Sequence, residues 1–107
     1  MTRTEEFLTA LDEGMLQYFR EIADELVGRF GMSRAEAVAR INATYEGADI
    51  APCPELMCHE EPDYWAYGLY FQPKEGWVPH SGSTEDLSQW DTRPAPPKSS
   101  HVWTLTE

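Results

Sequence analysis

Apolar residues recur at helical spacing through the first part of the chain. The positions are Phe7, Leu8, Leu11, Met15, Leu16, Phe19, Ile22, Ala23, Leu26, Val27 and Phe30. Thr2 and Glu5 have the spacing of a capping box ahead of this run. Gly31 follows it as a typical C-terminal stop. The pattern predicts one long N-terminal helix, in which Gly14 marks a bend or the end of a separate early stretch.

The apolar stripe of this predicted helix is wide, covering about 200° of its surface. The helix would also be long, roughly 42 Å at ~1.5 Å per residue. We therefore expect either a second subunit or other parts of the same chain to cover the stripe. The first alternative predicts a homodimer, with contacts near the start of the helix at Phe7, Leu8, Leu11 and Met15.

A second, shorter helix is predicted directly after Gly31, because Ser33 and Glu36 form another capping box. Val38, Ile41 and Tyr45 form a narrow apolar stripe on it, and Gly47 ends it. Two helices around a short glycine turn also suggest a helix-turn-helix, which would present Arg34, Arg40 and Asn42 to DNA. We favour a packing corner, because Glu36 and Glu46 oppose these few polar and basic groups.

An aromatic third helix is predicted from Pro62 to Phe71, since proline suits the first helical position. A strand is the alternative, because aromatic residues favour strands. The helical wheel predicts that Gly68 packs closely against a neighbour. The face around Gly68 holds Tyr64, Trp65, Leu69 and Phe71, and the opposite face holds Asp63, Ala66, Tyr67 and Tyr70.

The remaining residues, 73–107, form an irregular and Pro-rich C-terminal part. A brief helix is predicted to end at Trp90, and 91–100 is extended. Residues 101–106 have the composition of a strand, which could pair with Trp77 and Val78 or lie across the helices. Trp103 and Leu105 are expected to anchor this tail. The chain is therefore predicted to be a single, mainly α domain, with a helical part at 1–72.

The composition is strongly acidic, with 19 Asp and Glu against 8 Lys and Arg and a formal net charge of −11. Binding to nucleic acid or to an anionic membrane surface needs clustered cations, and the basic residues here are scattered. The start of the chain has neither the basic residues nor the apolar run of a secretory signal. We therefore expect a cytoplasmic protein that attracts basic partners.

The segment from Cys53 to Asp63 is the one stretch where catalytic or metal chemistry is conceivable. Cys53, Cys58, His59 and His80 are residue types that bind zinc, but their spacing matches no known zinc motif. Cys58 beside His59 resembles a nucleophile with its base, and Glu60 or Glu61 could act as a general base. Because no oxyanion hole or phosphate loop accompanies them, a small enzyme or metal-binding protein is the alternative, and no cofactor is predicted.

A protein-binding face is the favoured functional interpretation of residues 48–72, which combine five acids with five aromatic residues and contain no Lys or Arg. The alternative is that all five aromatic residues belong to the core. Tyrosine and tryptophan dominate interface hot spots, and acids select a basic partner. The predicted binding residues are Glu60, Glu61, Asp63, Tyr67 and Tyr70. The predicted function is a non-enzymatic interaction module, such as an adaptor, inhibitor or immunity-type partner of a basic protein.

Two segments, SRAEAVARIN at 33–42 and HEEPDYWA at 59–66, resemble a group of small bacterial proteins of unknown function. The resemblance covers roughly residues 20–72. It implies no activity and no site residues.

Overall fold

The structure is a computed structural model that describes residues 6–9, 11–46, 61–74, 78–79 and 87–105. Its elements are α1 (Glu13–Phe30), α2 (Arg34–Tyr45), α3 (Pro62–Tyr70) and a short 3-10 helix, Leu87–Gln89. The mainly helical fold class is confirmed. Within the described residues, no helix has the length and apolar character needed to cross a membrane.

Helix α1 is confirmed, but it begins later than the apolar pattern predicts. Asp12 is its N-cap, and the Asp12 carboxylate accepts a hydrogen bond of 2.8 Å from the Met15 N–H. Residues 6–9 are not helical, and the predicted capping box at Thr2 and Glu5 lies outside the described residues. The helix ends at Gly31 as predicted, with φ at 70° and the Gly31 N–H bonded to the Val27 carbonyl.

The wide apolar stripe of the first helix is covered by the chain itself. Phe7 lies in the non-helical segment that precedes α1, and its ring packs edge-on against Phe19 with centroids 5.7 Å apart. Phe7, Leu11 and Met15 are all buried in one core with residues of α2 and α3. Leu8 is half-buried. The stripe therefore needs no second subunit to remove it from water.

Helix α2 begins as predicted, because the Ser33 hydroxyl accepts a hydrogen bond of 3.1 Å from the Glu36 N–H. Its buried surface is much broader than the narrow stripe that the sequence predicts. The buried residues are Ala35, Ala37, Val38, Ala39, Arg40, Ile41 and Asn42. The three alanines are small enough for close packing on several sides. The helix ends at Tyr45, with Glu46 as its C-cap, and Gly47 lies outside the described residues.

Asn42 lies at the centre of this packing and joins both ends of the described chain. Its side-chain amide donates hydrogen bonds of 3.0 Å to the carbonyls of Glu6 and Val102, and its side-chain oxygen accepts one of 2.9 Å from the Leu8 N–H. The Thr104 hydroxyl also donates to the Glu6 carbonyl. Because Arg40 and Asn42 are both buried, α2 does not present them as the recognition helix of a helix-turn-helix would.

The C-terminal tail lies across the helices, which is the second of the two arrangements that the sequence left open. Val102 is buried, and Leu105 packs against the core. Residues 101–105 contain no strand, while Trp77, the proposed pairing partner, lies outside the described residues. The Trp103 indole N–H donates a hydrogen bond of 3.0 Å to the Pro96 carbonyl and so ties the Pro-rich segment to the tail.

Helix α3 is confirmed, with Pro62 at its first position and Phe71 as its C-cap. The predicted division of the helix into two faces is only partly confirmed, since Leu69 and Phe71 are buried as predicted but Tyr64 is exposed. Ala66, Tyr67 and Leu69 are buried, whereas a Cβ at Gly68 would meet no atom of a described neighbouring segment within 4 Å. The predicted close packing against the Cα of this glycine is therefore not seen among the described residues. Aromatic side chains surround the helix, and its orientation is therefore decided by contacts with distant residues.

Candidate functional site

A cleft of about 550 Å³ lies between the end of α1, helix α3 and the segment 87–92. Five aromatic rings line it, together with the guanidinium of Arg29. The rings are Phe30, Tyr67, Tyr70, Phe71 and Trp90. Small-molecule and side-chain pockets are typically built in this way, with mostly apolar walls and a few polar groups. We call this cavity the aromatic cleft.

Phe30 is the centre of the ring cluster. It stacks on Tyr70 with ring centroids 4.1 Å apart, and it meets Tyr67 and Phe71 edge-on at 5.3 and 5.5 Å. The three partners can reach one ring because they stand at i, i+3 and i+4 on α3 and its C-cap. Aromatic contacts of this kind stabilise by about 0.5–1.5 kcal/mol beyond their burial. The walls of the cleft are therefore held in place by the core.

Backbone hydrogen bonds attach the segment 87–93 to the end of α3 and complete the cleft. The Gln72 N–H donates to the Asp91 carbonyl at 2.9 Å, and the Arg93 N–H donates to the Tyr70 carbonyl at 2.7 Å. Between them, Phe71 and Thr92 form an antiparallel bridge. This pairing places the buried Trp90 ring against Phe71, with centroids 6.5 Å apart.

Cations of the chain already lie on rings of the aromatic cluster. Arg29 stands over the Tyr67 ring at 5.8 Å, and Lys74 stands over the Trp90 ring at 4.6 Å. Arg29 is also paired with Glu25, and its guanidinium lies 3.5 Å from the Asp63 carboxylate. The hydrogen bond that it donates to Glu25 is the main reason its pKa is raised. Acids and ring faces here form a surface suited to positively charged groups.

The outward side of α3 carries a second aromatic surface, at Glu61, Tyr64, Trp65 and Gly68. Tyr64 is 47% exposed, and its ring meets the half-buried Trp65 edge-on at 4.9 Å. Glu61 is exposed and makes no ion pair with any residue that the structure describes. The sequence assigned Tyr64 and Trp65 to the packing side of the helix, whereas the structure leaves the first exposed and the second half-buried.

The predicted binding residues do not form one exposed face in the structure. Tyr67 is 5% exposed, so the expectation that it is an accessible anchor is wrong, although its ring lines the aromatic cleft. Tyr70 is half-buried in the same cleft, and the Asp63 carboxylate contacts Arg29. Glu61 is exposed, and Glu60 lies outside the described residues.

Sequence reasoning missed other residues of the cleft. The sequence pattern places Phe30 at the end of the first helix and Trp90 at the end of a brief helix. It predicts neither of them, nor Arg29, as a site residue. Phe30 directly precedes the Gly31 stop, and an aromatic residue at such a point has few neighbours in its own helix with which to pack. The position of Phe30 at the end of a helix was therefore the signal in the sequence, because its ring must pack against residues of other elements.

The metal and catalytic candidates Cys53, Cys58, His59 and His80 all lie outside the described residues. Among the residues that are described, no group of three or more His, Cys, Asp or Glu side chains could hold a metal ion. Comparison with known proteins found no matching family model, no matching curated protein and no matching solved structure.

In the described regions, the basic residues have partners within the chain, whereas several exposed acids make no ion pair. Seven of the eight Lys and Arg residues are described, and each contacts a carboxylate, a carbonyl or a ring of the chain itself. Glu13, Glu61 and Asp91, by contrast, are exposed acids with no ion pair to a described residue. The free charge of this surface is therefore mostly negative.

Proposed function

We propose that the protein is a non-enzymatic, cytoplasmic interaction module that binds a basic protein partner. The observation that carries the proposal is the aromatic cleft, whose ring cluster holds cations of the chain and whose surroundings are acidic. A partner segment with one large apolar side chain between basic residues fits this arrangement. The apolar side chain would enter the cleft, and the basic residues would meet the acids around it.

The cleft has room for such a side chain. Its volume of about 550 Å³ falls within the usual range of ligand pockets, roughly 300–1,000 Å³. Aromatic walls give a partner large contact area at a small cost in side-chain entropy, because the rings are already fixed by Phe30 and the core. A preorganised pocket of this kind supports binding by a single anchor side chain.

Asp91 and Glu61 are exposed acids in or next to the segments that line the cleft, and both are proposed to guide a basic segment. Asp91 stands between the cleft residues Trp90 and Thr92 in the chain, and Glu61 precedes α3, whose residues form another wall. Both are exposed, and neither is paired with a described residue. A net charge of −11 raises the association rate of a cationic partner, and the effect falls as salt screens it.

A single chain is proposed as the binding unit. Of the four residues named for a homodimer through the first helix, Phe7, Leu11 and Met15 are buried within one chain and Leu8 is half-buried. In the described regions, Tyr64 is the one large hydrophobic side chain that is exposed. An apolar surface of that size is far smaller than the roughly 800 Å² per partner of a standard stable interface.

The proposal is tested by calorimetric titration with three nine-residue peptides. One has a central tryptophan among lysines, the second has alanine in place of the tryptophan, and the third has glutamate in place of each lysine. We expect saturable binding of the first peptide, weaker binding of the second and none of the third. Equal heats with the first and second peptides would show charge attraction without use of the cleft and would contradict the proposal.

Charge variants distinguish two effects on peptide binding, namely attraction by particular acids near the cleft and attraction by the net negative charge of the whole protein. The double variant Asp91→Asn/Glu61→Gln should bind the tryptophan peptide more weakly, and the loss should shrink at high salt. Glu21→Gln is the matched control, because Glu21 is an exposed acid on α1 that bonds only to Gln17 among the described residues. If Glu21→Gln combined with Glu13→Gln, a second exposed acid of α1, weakened binding equally, the proposed role of Asp91 and Glu61 would be wrong.

A further inference from the structure

A second cavity, of about 260 Å³, lies between α2, the end of α3 and the segment 93–96. Its walls combine polar groups that can bind an anion with apolar carbon. Two guanidinium groups, a hydroxyl and an amide come from Arg40, Arg93, Thr44 and Gln72, and apolar surface comes from Leu69 and Pro96. We call it the arginine pocket.

Arg93 is fixed in this pocket by three hydrogen bonds. Its backbone N–H donates to the Tyr70 carbonyl at 2.7 Å, and its side-chain Nε donates to the Gly68 carbonyl at 3.0 Å. Its own carbonyl accepts a hydrogen bond of 3.0 Å from Arg40 Nη1. The two terminal amino groups of Arg93 have no partner among the described residues. The guanidinium is thus oriented, and it retains donors for a further group.

The two arginines of the pocket differ in whether a carboxylate neutralises their charge. Arg40 is buried and is paired with Glu36 at 2.9 Å. Arg93 is exposed and contacts no described carboxylate. The Gly68 carbonyl at the end of α3 is already engaged by Arg93 itself. The pocket therefore has one unbalanced positive charge, on a protein whose net charge is −11.

We propose that the arginine pocket binds a small organic carboxylate. Two parallel N–H groups of a guanidinium match the two oxygens of a carboxylate, which makes this pairing bidentate and directional. The Thr44 hydroxyl and the Gln72 amide supply further donors at the wall. Leu69 and Pro96 suit the carbon part of such a ligand, which inorganic phosphate lacks. This site is independent of the aromatic cleft.

The test is a titration of the full chain with propionate, followed by backbone amide NMR at constant ionic strength. Propionamide and inorganic phosphate are titrated in parallel. We expect a saturable change near Thr44, Gln72 and Arg93 with propionate. Propionamide and phosphate should bind at least tenfold more weakly. Equal affinity for propionamide would overturn the proposal, because the amide keeps the shape and loses the charge.

Variants assign the binding to Arg93. Arg93→Met should weaken propionate binding at least tenfold, and Arg93→Lys should weaken it several-fold because the planar fork is lost. Arg34→Lys, the same change at a distant arginine of α2, should leave the affinity within twofold. A dispersed amide spectrum shows that each variant is folded. Wild-type affinity in folded Arg93→Met or Arg93→Lys would overturn the proposal.

A carboxylate could be a free small acid or the end of a peptide chain, and trialanine distinguishes the two sources. Trialanine with a free carboxyl end is compared with its C-terminal amide. Binding of the free form alone identifies a chain end as a ligand. Binding of propionate without trialanine identifies free small acids. Equal binding of both trialanine forms would contradict recognition of the carboxylate.

Discussion

Asn42 donates a hydrogen bond of 3.0 Å to the carbonyl of Val102, a residue 60 positions further along the chain. The same amide group bonds the Glu6 carbonyl, so one side chain of α2 holds the segments before α1 and after the Pro-rich stretch. Buried polar groups of this kind are costly when they lose their partners. The Asn42 amide is therefore a structural centre of the fold.

Replacement of Asn42 by leucine should lower the free energy of unfolding by about 3 kcal/mol or more. It leaves the Leu8 N–H and the Val102 carbonyl without their partner, and it removes one of the two hydrogen bonds to the Glu6 carbonyl. Urea unfolding measures the change. Thr44→Ala is the control on the exposed side of the same helix, and it should stay within about 0.5 kcal/mol of the wild type. A loss below about 1 kcal/mol for Asn42→Leu would show that water replaces these hydrogen bonds.

The same substitution at two glycines should have opposite effects. Gly68→Ala should stabilise the protein by up to about 1 kcal/mol, because the site has open space and alanine favours the helix. Gly31→Ala should destabilise it by about 1 kcal/mol, because φ is 70° there. Thermal melts of both variants give the comparison. A lower melting temperature for Gly68→Ala would contradict the open space at this site and would support the close packing that the sequence predicts.

Tyr67 and Tyr64 of α3 should differ in their contribution to stability, because one ring is buried and the other is exposed. Tyr67→Ala removes a buried ring that contacts Phe30 and Phe71, and it should cost about 3–5 kcal/mol. Tyr64→Ala removes an exposed ring and should cost about 1 kcal/mol or less. Urea unfolding of the pair checks this. Equal losses would contradict the orientation of the helix.

Tyr45 should make the protein sensitive to high pH. Burial raises the pKa of Tyr45 from 10.0 to about 12. A raised folded-state pKa means that the folded form holds the proton more tightly, so stability is unaffected below about pH 10 and falls as pH rises toward 12. Ionisation of this one tyrosine should lower the free energy of unfolding by about 2–3 kcal/mol. Tyr45→Phe should show a smaller loss between these pH values in urea unfolding, and an unchanged pH profile would contradict this assignment.

Local signals in the sequence were sufficient to locate the helices. Ser33, Pro62 and Gly31 act on residues within one turn, so their roles as N-cap, first helical residue and C-terminal stop can be predicted from neighbours alone. The start of α1 could not be located in this way. Phe7 and Leu11 continue the helical spacing outside the helix, and Asp12 is the cap that the structure uses.

The site was less predictable, because it depends on contacts between distant residues. The aromatic side chains of α3 surround the helix, and the sequence does not say which side meets Phe30 of α1. The cleft also needs Trp90, which is placed by the pairing of Phe71 with Thr92. Acidic and aromatic composition indicated the region, while the accessible residues could be identified only in the folded chain.

The central claim is that an apolar side chain of a basic partner enters the aromatic cleft, and blocking the cleft tests it most directly. Ser88 lines the cleft, whereas its exposed neighbour Gln89 does not. Ser88→Trp should therefore weaken calorimetric binding of the tryptophan peptide at least tenfold, and Gln89→Trp should leave it within twofold of the wild type. Wild-type affinity in a folded Ser88→Trp variant would contradict the account.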